Sequence, residues 1–322
     1  MTPPTQAGRE HIDVHAHFIP DGYRHAAIDA GHAAPDGFPQ LPAWNAAEHL
    51  DVMDRLGIAT SLLSISSPGV HFGDDAAACA LAREVNEDGR QAVLDHPGRF
   101  GLFAALPVPD IDGSIAEIDH SYDRLDVDGV SLLTNVNGVY LGDPVYEPVF
   151  EALDRRHARV FLHPTSPPCW EHTSLGRPRP MIEFLFDTTR AVVNMVLNGT
   201  VARHPNIEFI VPHAGAALPM IADRVAAFSL ALTDVDRNAD VMRDLARLHY
   251  DLAGFPVPRQ LDGILALTTS AHLHYGSDYP FTPEFVAEIG ATALDQTGEV
   301  VCSLSENTRR LFPNLQPAAD SN

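Results

Sequence analysis

The chain has 322 residues, 45% of them hydrophobic and 20% charged, with a formal charge of -22. That is enough apolar material for a sizeable core, and the acidic balance argues against nucleic acid or an anionic membrane as partner. All 21 basic residues are arginine, which excludes Schiff-base chemistry, a lysine anchor for pyridoxal phosphate, and a lysine carbamate bridging two metals.

No apolar run reaches the length of a membrane span. The opening MTPPTQAGRE lacks the basic start and apolar stretch of a signal peptide. Cys79, Cys169 and Cys302 lie far apart with no CxxC pair, which suits buried or idle thiols in a reducing compartment. A cytoplasmic enzyme is the expectation.

Along the chain, short β-branched apolar runs alternate with longer helical patterns, as in a parallel α/β fold. Strands are predicted at 11–15, 58–65, 100–106, 128–133, 159–163, 207–212, 248–252 and 273–277. Helices are predicted at 45–56, 75–95, 113–124, 144–157, 180–203, 216–232 and 258–268. The Pro/Gly-rich segments 30–44 and 166–180 read as loop insertions. The final SENTRRLF, Ser305 to Phe312, reads as an amphipathic helix on the barrel's outside, with Asn307 as a structural hydrogen-bonder. Eight such units close into one α/β domain, 1–322, a (β/α)₈ TIM barrel. The alternative is an open doubly wound sheet, which often carries a glycine fingerprint after its first strand. Here that turn reads VHAHFIPDG.

Barrel chemistry sits at the carboxyl ends of the strands. The first strand ends in His15-Ala16-His17, the fifth in His163, the sixth runs into His213 and the eighth into Asp278. On a strand, residues i and i+2 share a face, so His15 and His17 can chelate one ion from inside the barrel. His163 adds a third nitrogen and Asp278 an oxygen. An N₃O set suits one divalent metal, zinc by default and manganese next. Any single one of the 17 histidines is more often structural. His96 and His204, each between a helix and a proline, are read that way. Asp13 is read either as a partner for a ligand histidine or as a buried structural acid.

The segments HIDVHAHFIP, FLHPT, IVPHAGAALP and GSDYPF, in this order, resemble the amidohydrolase-related decarboxylases. That group contains the aminocarboxymuconate semialdehyde, resorcylate, carboxyvanillate and 6-methylsalicylate decarboxylases. The resemblance runs from about His11 to Phe312 and implies an amidohydrolase-type barrel with His15, His17, His163 and Asp278 on the metal. It implies that His213 activates water or touches substrate. Arg224 would reach a neighbouring subunit's site, making a homodimer the working unit; its alternative is a surface salt bridge. Where the semialdehyde decarboxylase has an arginine before Met-Asp, this chain has Asp51 before Met53-Asp54, with Arg55 displaced. SISSPGVHF is closer to the 6-methylsalicylate branch.

The expected reaction is non-oxidative decarboxylation of a small salicylate-type aromatic acid. The proton donor is either Asp278 or a water held by His213. Phe18, Phe72, Trp170, Tyr279 and Phe281 are candidates for an aromatic wall around the ring, while Arg190 is expected to pair with a carboxylate. The competing reading is a one-metal hydrolase of a lactone or amide on the same barrel.

Overall fold

The computed structural model describes residues 10–315. The opening segment read above for a leader lies, apart from Glu10, outside the described residues. Eight parallel strands stand in the order of the chain: β1 (His11–His17), β2 (Ile58–Ser64), β3 (Phe100–Ala105), β4 (Gly129–Leu133), β5 (Arg159–His163), β6 (Glu208–Val211), β7 (His249–Asp251) and β8 (Leu273–His274). The last strand is short, and the seam back to β1 is carried by single bridges, Asp13 to Tyr275 and Ala16 to Tyr279. Three backbone bonds reinforce it: Val14 N donates to Tyr275 O (3.0 Å), His17 N to Tyr279 O (2.8 Å) and Asp278 N to His15 O (2.7 Å). This is the (β/α)₈ barrel expected from the strand count. No helix among the described residues is long and apolar enough to cross a membrane.

The predicted helices are present, and the described residues hold four more α-helices that sequence patterning missed: Asp21–Asp29, the short Trp170–Thr173, Val241–Ala246 and Glu284–Asp295. Segments 30–44 and 166–180 are largely irregular, as expected, and they are fastened to each other. Ser166 Oγ donates to Asp36, and Arg179 Nε donates to Ser166 Oγ at 3.0 Å.

The barrel interior is filled by Val14, Leu62, Phe103, Phe161 and Ile210, with Phe103 and Phe161 stacked at 5.5 Å. Between Asp13 and Ala16, β1 slips in register against Ser61 and Leu63 of β2. That bulge lets Val14 join the packed interior while His15 and His17 line the mouth above it. The C-terminal segment departs from the expectation of an outside helix. It forms a longer helix, Glu299–Leu311, and Leu311 and Phe312 enter the inner cluster, Phe312 lying 5.8 Å from Phe103. Apolar groups at the end of the chain therefore fill the barrel floor.

Asn307 has the structural role assigned to it. Its amide donates to Ser270 O (2.7 Å) and Leu273 O (2.9 Å), fixing the entry into the shortest strand. Asn307→Ala leaves two carbonyls without this donor and should cost about 2–3 kcal/mol. Urea unfolding would show this as a lower midpoint at an unchanged slope; an unaltered midpoint would remove the residue from the account.

Candidate metal centre

His15 and His17 end β1, His163 ends β5 and Asp278 follows β8. Each offers one ligand atom, and these four atoms lie within 4.8 Å of one another. Asp278 Oδ1 is 3.4 Å from His15 Nε2 and 3.3 Å from His17 Nε2. The positions read from the sequence thus converge on one point at the carboxyl rim.

The rings are aimed by what holds their other nitrogen. His15 Nδ1 lies 2.9 Å from Asp251 Oδ2, His17 Nδ1 lies 2.9 Å from Ser64 Oγ, and His163 Nδ1 lies 2.7 Å from the Pro164 carbonyl. Acceptors at Asp251 and Pro164 call for an Nδ1–H, which turns the Nε2 lone pair of His15 and His163 toward the common point. Ser64 Oγ donates to Ala16 O, so it accepts from His17 and fixes the same tautomer there. His15 Nε2 and His17 Nε2 are buried without a hydrogen-bond partner. Buried polar atoms are rarely left so, and a cation between them satisfies both. The donor set fits a divalent metal.

The electrostatics agree. Burial holds the His17 and His163 imidazoles below their ordinary value, His163 far below it, which keeps them neutral. Burial also lowers His15, but Asp251 and Asp278 reverse this and carry it up to about 10. The two carboxylates that favour a proton there favour a metal cation in its place. Burial alone would raise Asp278; the His15 and His17 imidazoles beside it hold it well below the usual carboxylate range. Its other oxygen, Oδ2, accepts from Thr282 Oγ1 at 2.9 Å.

His213 stands beside this group, its ring centroid 5.1 Å from that of His15. Its backbone N–H donates to Asp251 Oδ1 at 3.0 Å, while its buried Nδ1 has no partner. Burial lowers its imidazole as well. Both His213 and Asp278 have positive φ, 57° and 59°, a strained conformation for residues with a side chain and one that clusters at functional sites.

Asp251, at the end of β7, was not singled out in the sequence. The available signal was an aspartate closing a predicted strand, YDL, at the rim where the ligands sit. Asp13, read as a possible partner for a ligand imidazole, instead binds backbone: its Oδ1 accepts from His15 N and Ser277 N, each at 3.0 Å. It fastens β1 to the segment leading to Asp278.

Among the aromatic candidates, Phe281 is in place, edge-on to His17 at 5.5 Å and 5.4 Å from Phe38. Phe184, which was not predicted, lies 6.2 Å from His163. The other candidates have protein partners of their own. Phe18 is buried and packs edge-on to Trp44; Phe72 lies against Tyr23 and His32; Tyr279 packs on His49 of the helix Ala46–Leu56. Trp170 lies under the Arg179 guanidinium at 4.1 Å. Residues just past a strand end turn outward as readily as inward, and spacing alone does not separate the two.

Arg224, on the helix Leu218–Ser229, is exposed with its guanidinium 4.6 Å over Phe228. Neither it nor Arg190 makes an ion pair among the described residues, so the carboxylate partner expected for Arg190 is not found. Arg55 is bound to Glu284 on the surface. His204 meets Glu147 at 3.0 Å and His96 ends the helix Asp75–Asp95, both structural as read. Cys79 is half-buried, Cys169 and Cys302 are exposed, and all three are free thiols.

Residues 12–313 match the family model described as Amidohydrolase. The decarboxylase yanB of Aspergillus niger is 32% identical over 97% of this chain and 89% of its own length. The 6-methylsalicylic acid decarboxylase acuB of Aspergillus aculeatus is 33% identical over 95% of this chain and 97% of its own. A crystal structure of an amidohydrolase II superposes with a TM-score of 0.90 at 34% identity, covering 95% of this chain and 100% of that one.

Metal analysis of the purified protein should give about one divalent ion per chain, removed by a chelator and absent in Asp278→Ala. Asp251→Asn keeps all four ligands but loses the anion behind His15, and should weaken metal affinity about 10–100-fold. Unchanged affinity in that variant would reject the orienting role.

Proposed function

The chain belongs to the amidohydrolase family, and from that premise we propose that it is a metal-dependent decarboxylase of a small salicylate-type aromatic acid. The observation that carries this reading is the convergence of three imidazole nitrogens and one carboxylate at the rim, with His213 beside them, in a chain a third identical to 6-methylsalicylic acid decarboxylase over nearly its full length.

The reaction requires a proton on the ring carbon that bears the carboxylate, then cleavage of the C–CO₂ bond with its electron pair returning to the ring. His15, His17, His163 and Asp278 would hold a divalent ion, which would supply Lewis acidity toward the substrate carboxylate. Zinc is the ion we assign, because three nitrogens and one oxygen are its ordinary partners. Asp278 is assigned to holding it, since Oδ1 faces His15 and His17 and Oδ2 is taken by Thr282. His213 retains an unpartnered nitrogen; it holds the water that brings the proton to the ring carbon. Phe281 and Phe184 flank the centre and exclude bulk water from the ring.

We further propose a homodimer. Met220, Phe228 and Leu230, on and just past the helix Leu218–Ser229, are 84%, 59% and 89% exposed. An apolar surface of this kind supports a contact face, and Arg224, beside Phe228 on the same helix, is the residue we assign to a partner's site. The reducing cytoplasm suits three unpaired cysteines.

Incubation with 2-hydroxybenzoates should release CO₂. Persistence of the carboxylates alongside cleavage of lactones or amides would favour the hydrolase instead. His213→Ala should lower kcat at least about 100-fold with metal content unchanged. Arg224→Ala should lower activity as a dimer, and mixing it with inactive His15→Ala should restore part of it; a fully active Arg224→Ala removes that residue from the site.

A further inference from the structure

The three ligand imidazoles differ in their hydrogen bonding. His15 Nε2 and His17 Nε2 are buried without a partner, whereas His163 Nε2 has one, Ser66 Oγ at 3.3 Å. The contact of His163 Nδ1 with the Pro164 carbonyl puts the ring proton on Nδ1. Nε2 is then an acceptor, and Ser66 is the donor. Ser66 thus directs its O–H at the lone pair that a metal ion would take.

Ser66 is buried in the loop after β2. Its carbonyl accepts from Gly69 N at 2.9 Å, closing a turn in which Gly69 has φ 78°, a conformation suited to glycine. The neighbouring hydroxyls at the rim are already committed. Ser64 Oγ donates to Ala16 O, Thr282 Oγ1 donates to Asp278, and Ser67 Oγ and Thr165 Oγ1 bond each other at 2.8 Å. Ser66 differs from these because a cation on Nε2 removes its acceptor. A buried hydroxyl left unpaired is costly. The acceptor that arrives at the same place is the anionic group that the ion attracts.

We infer that Ser66 is a substrate-binding residue. Its hydroxyl caps His163 Nε2 in the absence of metal and donates to the carboxylate of the acid once an ion holds that nitrogen. The inference rests on the decarboxylase reading and adds a neutral donor to a site whose other polar groups face the ion. It carries a signature that a packing role lacks, because removing the hydroxyl acts on metal and anion with opposite signs. The metal gains, since no hydrogen bond has to break when the ion binds; the anion loses a donor.

The test compares the wild type with Ser66→Ala in two binding measurements. The chelator-treated proteins are titrated with zinc, and the zinc-loaded proteins are titrated with benzoate by calorimetry. Benzoate offers a carboxylate on a ring without the ortho hydroxyl, so binding is read without turnover. Ser66→Ala should bind zinc about 2–10-fold more tightly and benzoate about 10–100-fold more weakly. Unchanged or weaker zinc binding in the variant, from a lost ligand or a disturbed site, overturns the proposal. Benzoate affinity that is equal in both proteins, or absent from both, also overturns it. Neither measurement depends on turnover, so such a result leaves the decarboxylase reading standing. CO₂ release by the wild type decides that reading separately.

Discussion

Three buried imidazoles presenting lone pairs toward one point, with a carboxylate beside them, form an arrangement that is costly without a cation. A buried polar atom left without a partner costs on the order of 1–3 kcal/mol, and His15 Nε2 and His17 Nε2 are both in that position. Much of the barrel's carboxyl rim is organised to maintain it. Asp251, Ser64 and the Pro164 carbonyl each fix a ring nitrogen away from the centre, and Asp13 ties β1 to the segment that delivers Asp278. The positive φ of His213 and Asp278 is strain of about 1–3 kcal/mol per residue, held by the surrounding packing.

The short eighth strand explains why so many polar contacts gather at one seam. With only Leu273 and His274 in regular pairing, the turn carrying Asp278 is held by Asp13, by the His15 carbonyl and by Thr282. At the other end, Asn307 bonds the carbonyls of Ser270 and Leu273, and Leu311 and Phe312 fill the floor. The last helix therefore supports the strand that leads into Asp278, the carboxylate of the candidate centre.

The strand count and the pairing of His15 with His17 on one face were legible in the sequence because both depend on local periodicity. A β-branched run marks a strand, and His-Ala-His at its end puts two imidazoles on one face. Direction beyond a strand end is set by tertiary contacts. Tyr279 turns out to His49 while Phe281, two residues on, turns in to His17, and nothing in the residues themselves separates them. Phe312 as a floor plug rather than an outer helix face, and Asp251 behind His15, likewise required the closed barrel.

X-ray absorption on the zinc-loaded protein would test the central claim most directly. The account predicts three imidazole nitrogens at about 2.0–2.1 Å and a carboxylate oxygen at about 2.0–2.2 Å, with one imidazole lost in His163→Ala. A coordination shell unchanged by that substitution, or one containing sulfur, would contradict it.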